Sequence, residues 1–256
     1  MKPNYTYKDI VEKLYAIGIK KGDDVFIHSN LGFYGVLDSC ESAEELCKAF
    51  LLAILEVIGN NGTIITPTYS YSYCHGQVYD PLTTKTTCGM LSTYMIKKYP
   101  TNRSLDPNFS ICGIGKNIEE YKKCNIHETF GQGSFWESFK INEGKIICMN
   151  FDAGSTFVHY IERQNNVNYR YNKAFNGQTI INGRIYKDYA VHFVYDGENN
   201  APCMERVDDL CRRNQICKET FLGKGTILAF PVTEYYNFFT ELLKVRPRVF
   251  CKVENI

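Results

Sequence analysis

His159 and Glu162, in the stretch "GSTFVHYIERQNN" from Gly154 to Asn166, are the residues whose types and spacing combine most readily into chemistry. On a helix, positions i and i+3 share one face. A carboxylate placed there can hold one imidazole nitrogen and leave the other free to take a proton. The plain alternative is an amphipathic helix whose His and Glu merely face water. Three further polar clusters stand where strands should end: "HSN" (28–30), "PTYSYSY" (67–73) and "FDAGST" (151–156). Open α/β sheets collect ligands at the carboxyl ends of their strands, so elements sharing one rim would bring these clusters together. "SLDPNFS" (104–110) lies just ahead of a further strand. Eleven cysteines are present, none in a CxxC pair, so neither a zinc ribbon nor a thioredoxin-type motif is available and no metal is expected. Several sit in apolar runs such as "KIICMNF", which reads as reduced, buried thiols in a cytoplasmic protein.

The elements that must position these groups follow from periodicity. Thr6 is a candidate N-cap for a helix carrying Ile10, Leu14 and Ile17 on one face, ending at Gly18. "DDVFIHSNL" is a short buried strand, and "SAEELCKAFLLAILEVIGNNG" is the clearest helix, with Gly59 past its end. "GTIITPTY" is a second β-branched strand, so strand, helix and strand form a parallel crossover. "CGMLSTYMIKKYP", "NIEEYKKC" and "SFWESFK" read as helices, "SICGIG" and "KIICMNF" as strands. Beyond Gln164, "GQTIINGRIYKDYAVHFVYD" alternates and carries an Asn-Gly turn, the pattern of an antiparallel meander. A helix "CMERVDDLCRRN", a Gly-rich turn "LGKGT" and a last helix "VTEYYNFFTELLKV" close the chain. The expectation is one α/β domain over 1–256: a central mixed, partly parallel sheet flanked by helices, with a small antiparallel β element near 170–200.

A net charge of +1, with no basic run or acidic tail, points away from nucleic acid and from an anionic membrane surface. No run of eighteen apolar residues occurs, and the first thirty residues lack a signal-type apolar core. A soluble cytoplasmic enzyme with a small-molecule partner is the reading, with no membrane insertion; a homodimer stays open.

Taken in order, "KKGDDVFIHSNLGFYG", "GNNGTIITPTYSY", "DPLTTKTTCGMLSTYMIKKYP", "GQGS" and "FDAGSTFVHYIER" resemble the aminoglycoside 3-N-acetyltransferase family over roughly residues 8 to 175. That family typically reads G-D-x-hydrophobic-x-H-S-S-L, then G-T-hydrophobic-P-T, then G-x-G-S, then an H-x-x-E helix. The resemblance implies transfer of an acyl group from acetyl-CoA or another acyl-CoA to an amine. It implies that His28, Ser29, Asn30 and Leu31 lie beside the pantetheine, with Thr68, Ser110 and Ser134 on the same cofactor side. Asn30 stands where the family usually has Ser. His159 matches the catalytic histidine and Glu162 its companion carboxylate.

One departure bears on substrate. Where antibiotic-modifying members usually carry H-P-x-H, this chain has Asp106-Pro107-Asn108-Phe109. That form, with "NVNYRYNKAF" (166–175), is similar to the branch that acylates nucleotide-linked amino sugars such as 4-amino-4,6-dideoxyhexoses for surface glycans. On that resemblance Asp106 would hold the substrate ammonium or share the base role, its plain reading being an Asx turn. Arg170 would contact a diphosphate, with Tyr69, Asp152 and Thr156 on the substrate side. Direct attack with His159 as base needs no acyl-enzyme, and backbone N–H groups at the "HSN" turn are candidate oxyanion donors. The alternatives are an aminoglycoside 3-N-acetyltransferase conferring antibiotic resistance, a cysteine-dependent hydrolase using Cys148 or Cys74 with His159, and a non-catalytic sugar-binding relic.

Overall fold

The computed structural model describes residues 2–254. Helix α1 (Tyr7–Ala16) is opened by a reciprocal pair in which Thr6 and Asp9 satisfy each other's backbone N–H groups. β1 (Asp24–Ser29), α2 (Ala43–Ile58) and β2 (Thr63–Pro67) follow; α2 is capped by Ser42 and stopped at Gly59, whose φ of 65° suits a residue without a Cβ. Next come β3 (Val78–Tyr79), α3 (Met90–Lys98), β4 (Ile111–Gly115), α4 (Ile118–Tyr121), α5 (Phe135–Ile141), β5 (Lys145–Met149) and α6 (Phe157–Gln164). The rest is β6 (Arg170–Ile181), β7 (Arg184–Tyr195), α7 (Met204–Arg213), β8 (Lys218–Leu222), β9 (Gly225–Pro231) and α8 (Val232–Val245).

Six strands form the main sheet in the order β4–β2–β1–β5–β9–β8. β1 pairs parallel with both β2 and β5, whereas β4, β9 and β8 join antiparallel, so the sheet is mixed and partly parallel as the pattern predicts. The three parallel strands end on one edge, and that edge carries the site. Residue alternation divides the core between the two faces. Phe26, Ile146 and Cys148 pack with Trp136, Phe139, Phe157 and Tyr235 on one side. Val25, Ile27, Ile147 and Met149 pack with Leu14, Phe50, Ile54 and Met95 on the other. His28 follows Phe26 on the first side, toward α6.

The β element near 170–200 is a single long hairpin rather than a meander. β6 and β7 pair over twelve positions each around Asn182-Gly183, both at positive φ, the conformation that a two-residue turn demands. β3 adds to it in parallel, making a second, three-stranded sheet. The Gly-rich turn "LGKGT" is the bend of the β8–β9 hairpin, whose two strands the sequence reading left out. β9 pairs with β5 in the middle of the main sheet. No helix is long and apolar enough to cross a membrane among the described residues.

Candidate active site

The loops after β1, β2 and β5 meet at a cavity of about 400 Å³. The end of β1 and the loop after it contribute His28, Ser29 and Asn30; the end of β2 and its loop contribute Pro67 and Tyr69; the β5–α6 loop contributes Phe151, Gly154, Ser155 and Thr156. His159 on α6 reaches it, as do Thr87, Cys88, Gly89 and Ser92 at the start of α3, and Met204 on α7. Parallel pairing of the three strands is what carries these separate segments to one place.

On α6, His159 and Glu162 sit one turn apart with Nδ1 and Oε2 2.9 Å apart. The His159 side chain keeps 19% of its surface exposed and Glu162 none. A carboxylate can only accept, so Nδ1 carries the proton and Nε2 keeps its lone pair. Arg170 brings Nε to 2.7 Å from the same Oε2, a close charge contact rather than an aligned hydrogen bond. Its Nη1 donates to Phe193 O at 3.1 Å. Burial alone would raise the Glu162 carboxyl, but the His159 hydrogen bond and the Arg170 charge outweigh it and hold the group below its usual range. Burial and Arg170 lower His159 against the raising effect of Glu162, so the imidazole is neutral at pH 7.

His28 lines the same cavity, and no carboxylate is bonded to it. Its Nε2 lies 3.0 Å from Ser155 Oγ, and its ring stacks on Phe151 and meets Phe26 edge-on. Burial pushes its pKa down to about 4.

The remaining expected residues divide sharply. Ser29, Asn30, Tyr69 and Thr156 line the cavity. Leu31 lies in the apolar core and does not. Thr68 and Ser110 are fully buried and consume each other: Thr68 Oγ1 donates to Ser110 Oγ at 3.0 Å, and Ser110 Oγ donates to Thr68 O at 2.7 Å. Ser134 is the N-cap of α5, accepting from Glu137 N. Asp152 turns away from the cavity to accept from Gly154 N at 3.0 Å, and it lines a neighbouring groove with Asn30, Phe151 and Lys224. Arg170 is corrected most: its side chain is 3% exposed beneath Glu162, where no diphosphate reaches it. Asp106 takes its plain reading, a turn, since Oδ1 accepts from Asn108 N at 2.9 Å and Phe109 N at 2.7 Å. The "HSN" turn supplies no free oxyanion donor at Asn30, whose N–H goes to Met149 O at 2.8 Å.

Sequence reasoning singled out neither Ser155 nor the start of α3. Ser155 stands inside the quoted "FDAGST", and its one signal was position, directly before the His159 helix. The thiol-hydrolase alternative loses its physical basis. Cys148 is fully buried with its thiol pushed well above the ordinary value, and burial raises Cys74 as well. Among the described residues no group of three or more His, Cys, Asp or Glu side chains is placed to hold a metal ion.

Residues 26–244 match the model of the family described as aminoglycoside 3-N-acetyltransferase. A SPbeta prophage-derived aminoglycoside N(3')-acetyltransferase-like protein of Bacillus subtilis (strain 168) is 27% identical over 215 residues, covering 72% of this chain and 74% of that protein. Among solved structures, sisomicin-bound aminoglycoside acetyltransferase AAC-VIa superposes with a TM-score of 0.82 at 18% identity, covering 96% of this chain and 99% of the other. AAC-IIIb in a binary complex with CoASH gives 0.79 at 15% identity, over 94% and 97%. These two likenesses establish the fold. The family match over most of the chain establishes more: the chain belongs to the aminoglycoside 3-N-acetyltransferase family and is an acyl-CoA-dependent N-acetyltransferase.

Proposed function

We propose that this chain moves an acetyl group from acetyl-CoA to an amine of an aminoglycoside-type amino sugar, with His159 as general base. The observation that carries the proposal is the His159–Glu162 pair on the cavity wall, with Nδ1 committed to the carboxylate and Nε2 left to accept. An amine at neutral pH is mostly protonated and must shed a proton before or as it attacks the thioester. A neutral imidazole held by an ionised carboxylate suits that task, and a positioned base is worth about 10²–10⁴-fold. Aminoglycosides lead among acceptors because the curated relative is named an aminoglycoside N(3')-acetyltransferase-like protein and AAC-VIa, of the same fold, binds sisomicin.

A second reading is favoured by the lining itself. No Asp or Glu stands among the cavity residues, whereas a polycationic drug gains most from carboxylates. An acceptor with a single amine, a nucleotide-linked amino sugar included, fits that surface, although Asp106 and Arg170 lend it no contact. Assaying CoA thiol release from acetyl-CoA against an aminoglycoside panel and a sugar-nucleotide amine separates the two. Acetyl-CoA at a hundredfold excess over Kd should add about 2.7 kcal/mol of stability. No thermal shift with any acyl-CoA, and no thiol release with any amine, would sink both readings.

A further inference from the structure

We infer that Ser155 is a second catalytic residue: its hydroxyl, backed by His28, donates to the oxyanion formed when the amine adds to the thioester carbonyl. This inference rests on the acyl-transfer reading above.

Ser155 Oγ has two lone pairs and one proton to place. Phe157 N, which can only donate, approaches Oγ at 3.3 Å and fills one lone pair. His28 Nε2 at 3.0 Å fills the other when that nitrogen carries the proton. The Ser155 proton is then the one unassigned group of the cluster. No described residue other than His28 lies within hydrogen-bond reach to accept it, and Ser155 lines the cavity. A hydroxyl accepting two hydrogen bonds is polarised toward donation, and a neutral imidazole is a competent donor behind it.

The competing assignment, Ser155 as nucleophile, needs His28 to take its proton. No carboxylate stands on His28, and Phe26 and Phe151 flank its ring. Burial pushes its pKa down to about 4, which makes it too weak a base for that step. The two Asn30 donors are committed elsewhere: the N–H to Met149 O, and Nδ2 to Asn150 O at 3.1 Å.

The step balances without a covalent enzyme intermediate. The amine lone pair forms the C–N bond as the carbonyl π pair moves to oxygen, where Ser155 O–H meets it. His159 Nε2 takes the amine proton. Collapse restores C=O, breaks C–S, and sends the electron pair to the CoA sulfur, which then receives the proton from His159.

The test measures CoA release from acetyl-CoA with an amine acceptor and, separately, with water as the only acceptor. Both reactions pass through a tetrahedral oxyanion. Ser155→Ala should lower both rates by about 10²–10³-fold, the usual cost of one oxyanion donor. The acetyl-CoA Kd and the acid limb of the pH profile should stay in place. Ser155→Thr, which keeps the hydroxyl, should recover most of the loss; Ser155→Cys, a weaker donor, should fall between and covers the case in which Ser155→Ala does not fold. Ser155→Ala within threefold of wild type would overturn the inference, and so would an acetyl group found on Ser155 by mass spectrometry of the quenched reaction. A misassigned acceptor silences only the amine arm, so that failure stays distinguishable from this one.

Discussion

His159 and His28 line one cavity, and burial lowers the pKa of both rings. Their partners differ. His159 has a carboxylate on Nδ1 and an arginine behind that carboxylate; His28 has a serine hydroxyl and two aromatic rings. A charged partner fixes the tautomer and stabilises the imidazolium that forms during proton transfer. A hydroxyl partner stabilises no imidazolium, so the same side chain at similar burial serves as a hydrogen-bond donor through Nε2. Burial sets both histidines neutral, and the neighbour decides what each can do.

The largest way to break the comparison is His159→Asn. It should lower kcat by about 10²–10⁴-fold while the acetyl-CoA Kd, read by calorimetry, stays put. Glu162→Gln should cost less, because the base remains in place.

Next in size is Arg170. Removing one partner of a buried ion pair costs about 3–5 kcal/mol, so Arg170→Met should lose that much stability in urea unfolding. Its activity should move in a way that lost packing alone would not produce. With the Arg170 charge gone the His159 pKa rises, and the acid limb shifts to higher pH. The groups facing this cluster are His159 and Glu162 on α6, Tyr169 before β6, His192 on β7 and Cys251 near the C-terminus. Arg170→Lys should restore most of the limb position. An unshifted limb in a folded Arg170→Met protein would make Arg170 a packing residue.

His28 gives the opposite signature, in stability rather than rate. Its folded pKa of about 4 lies below the ordinary 6.5, so the unfolded chain binds the proton first as pH falls. The stability it contributes is intact above pH 6.5 and is lost as pH drops toward 4, by about 3 kcal/mol at 1.36 kcal/mol per unit. His28→Gln should flatten that part of the Tm–pH curve.

Smallest of all is Asp106→Asn, which keeps the Oδ1 acceptor for the Asn108 and Phe109 N–H groups and should leave kcat nearly unchanged. A selective loss of turnover with CoA binding intact would instead return Asp106 to the substrate.

How much of this the sequence discloses follows the same line between order and direction. The parallel β1–α2–β2 unit, the strand-end rim and the His159–Glu162 pair are legible because periodicity fixes which residues share a face. The Asn182-Gly183 turn is legible because few residues tolerate its backbone. The strands β8 and β9 are missed because "KETFLGKGTILAFP" is short and Gly-interrupted, and only pairing with β5 makes β9 a central strand. Matched motifs place Thr68, Ser110 and Ser134 near the site in order along the chain. They say nothing of where a side chain points, and these three turn to one another or to a helix end. Arg170 reads as a diphosphate contact until the fold buries it against Glu162.

The pH dependence of kcat/KM tests the division between the two histidines most directly. It should be measured with a weakly basic acceptor amine, whose own titration lies below the enzyme's. Wild type should show an acid limb below the ordinary histidine value of about 6.5, set by His159. His28→Gln should lower the rate yet keep that limb in place, and His159→Asn should abolish it. An acid limb that survives in His159→Asn, or disappears in His28→Gln, would contradict the assignment of the base to His159 and the donor to His28.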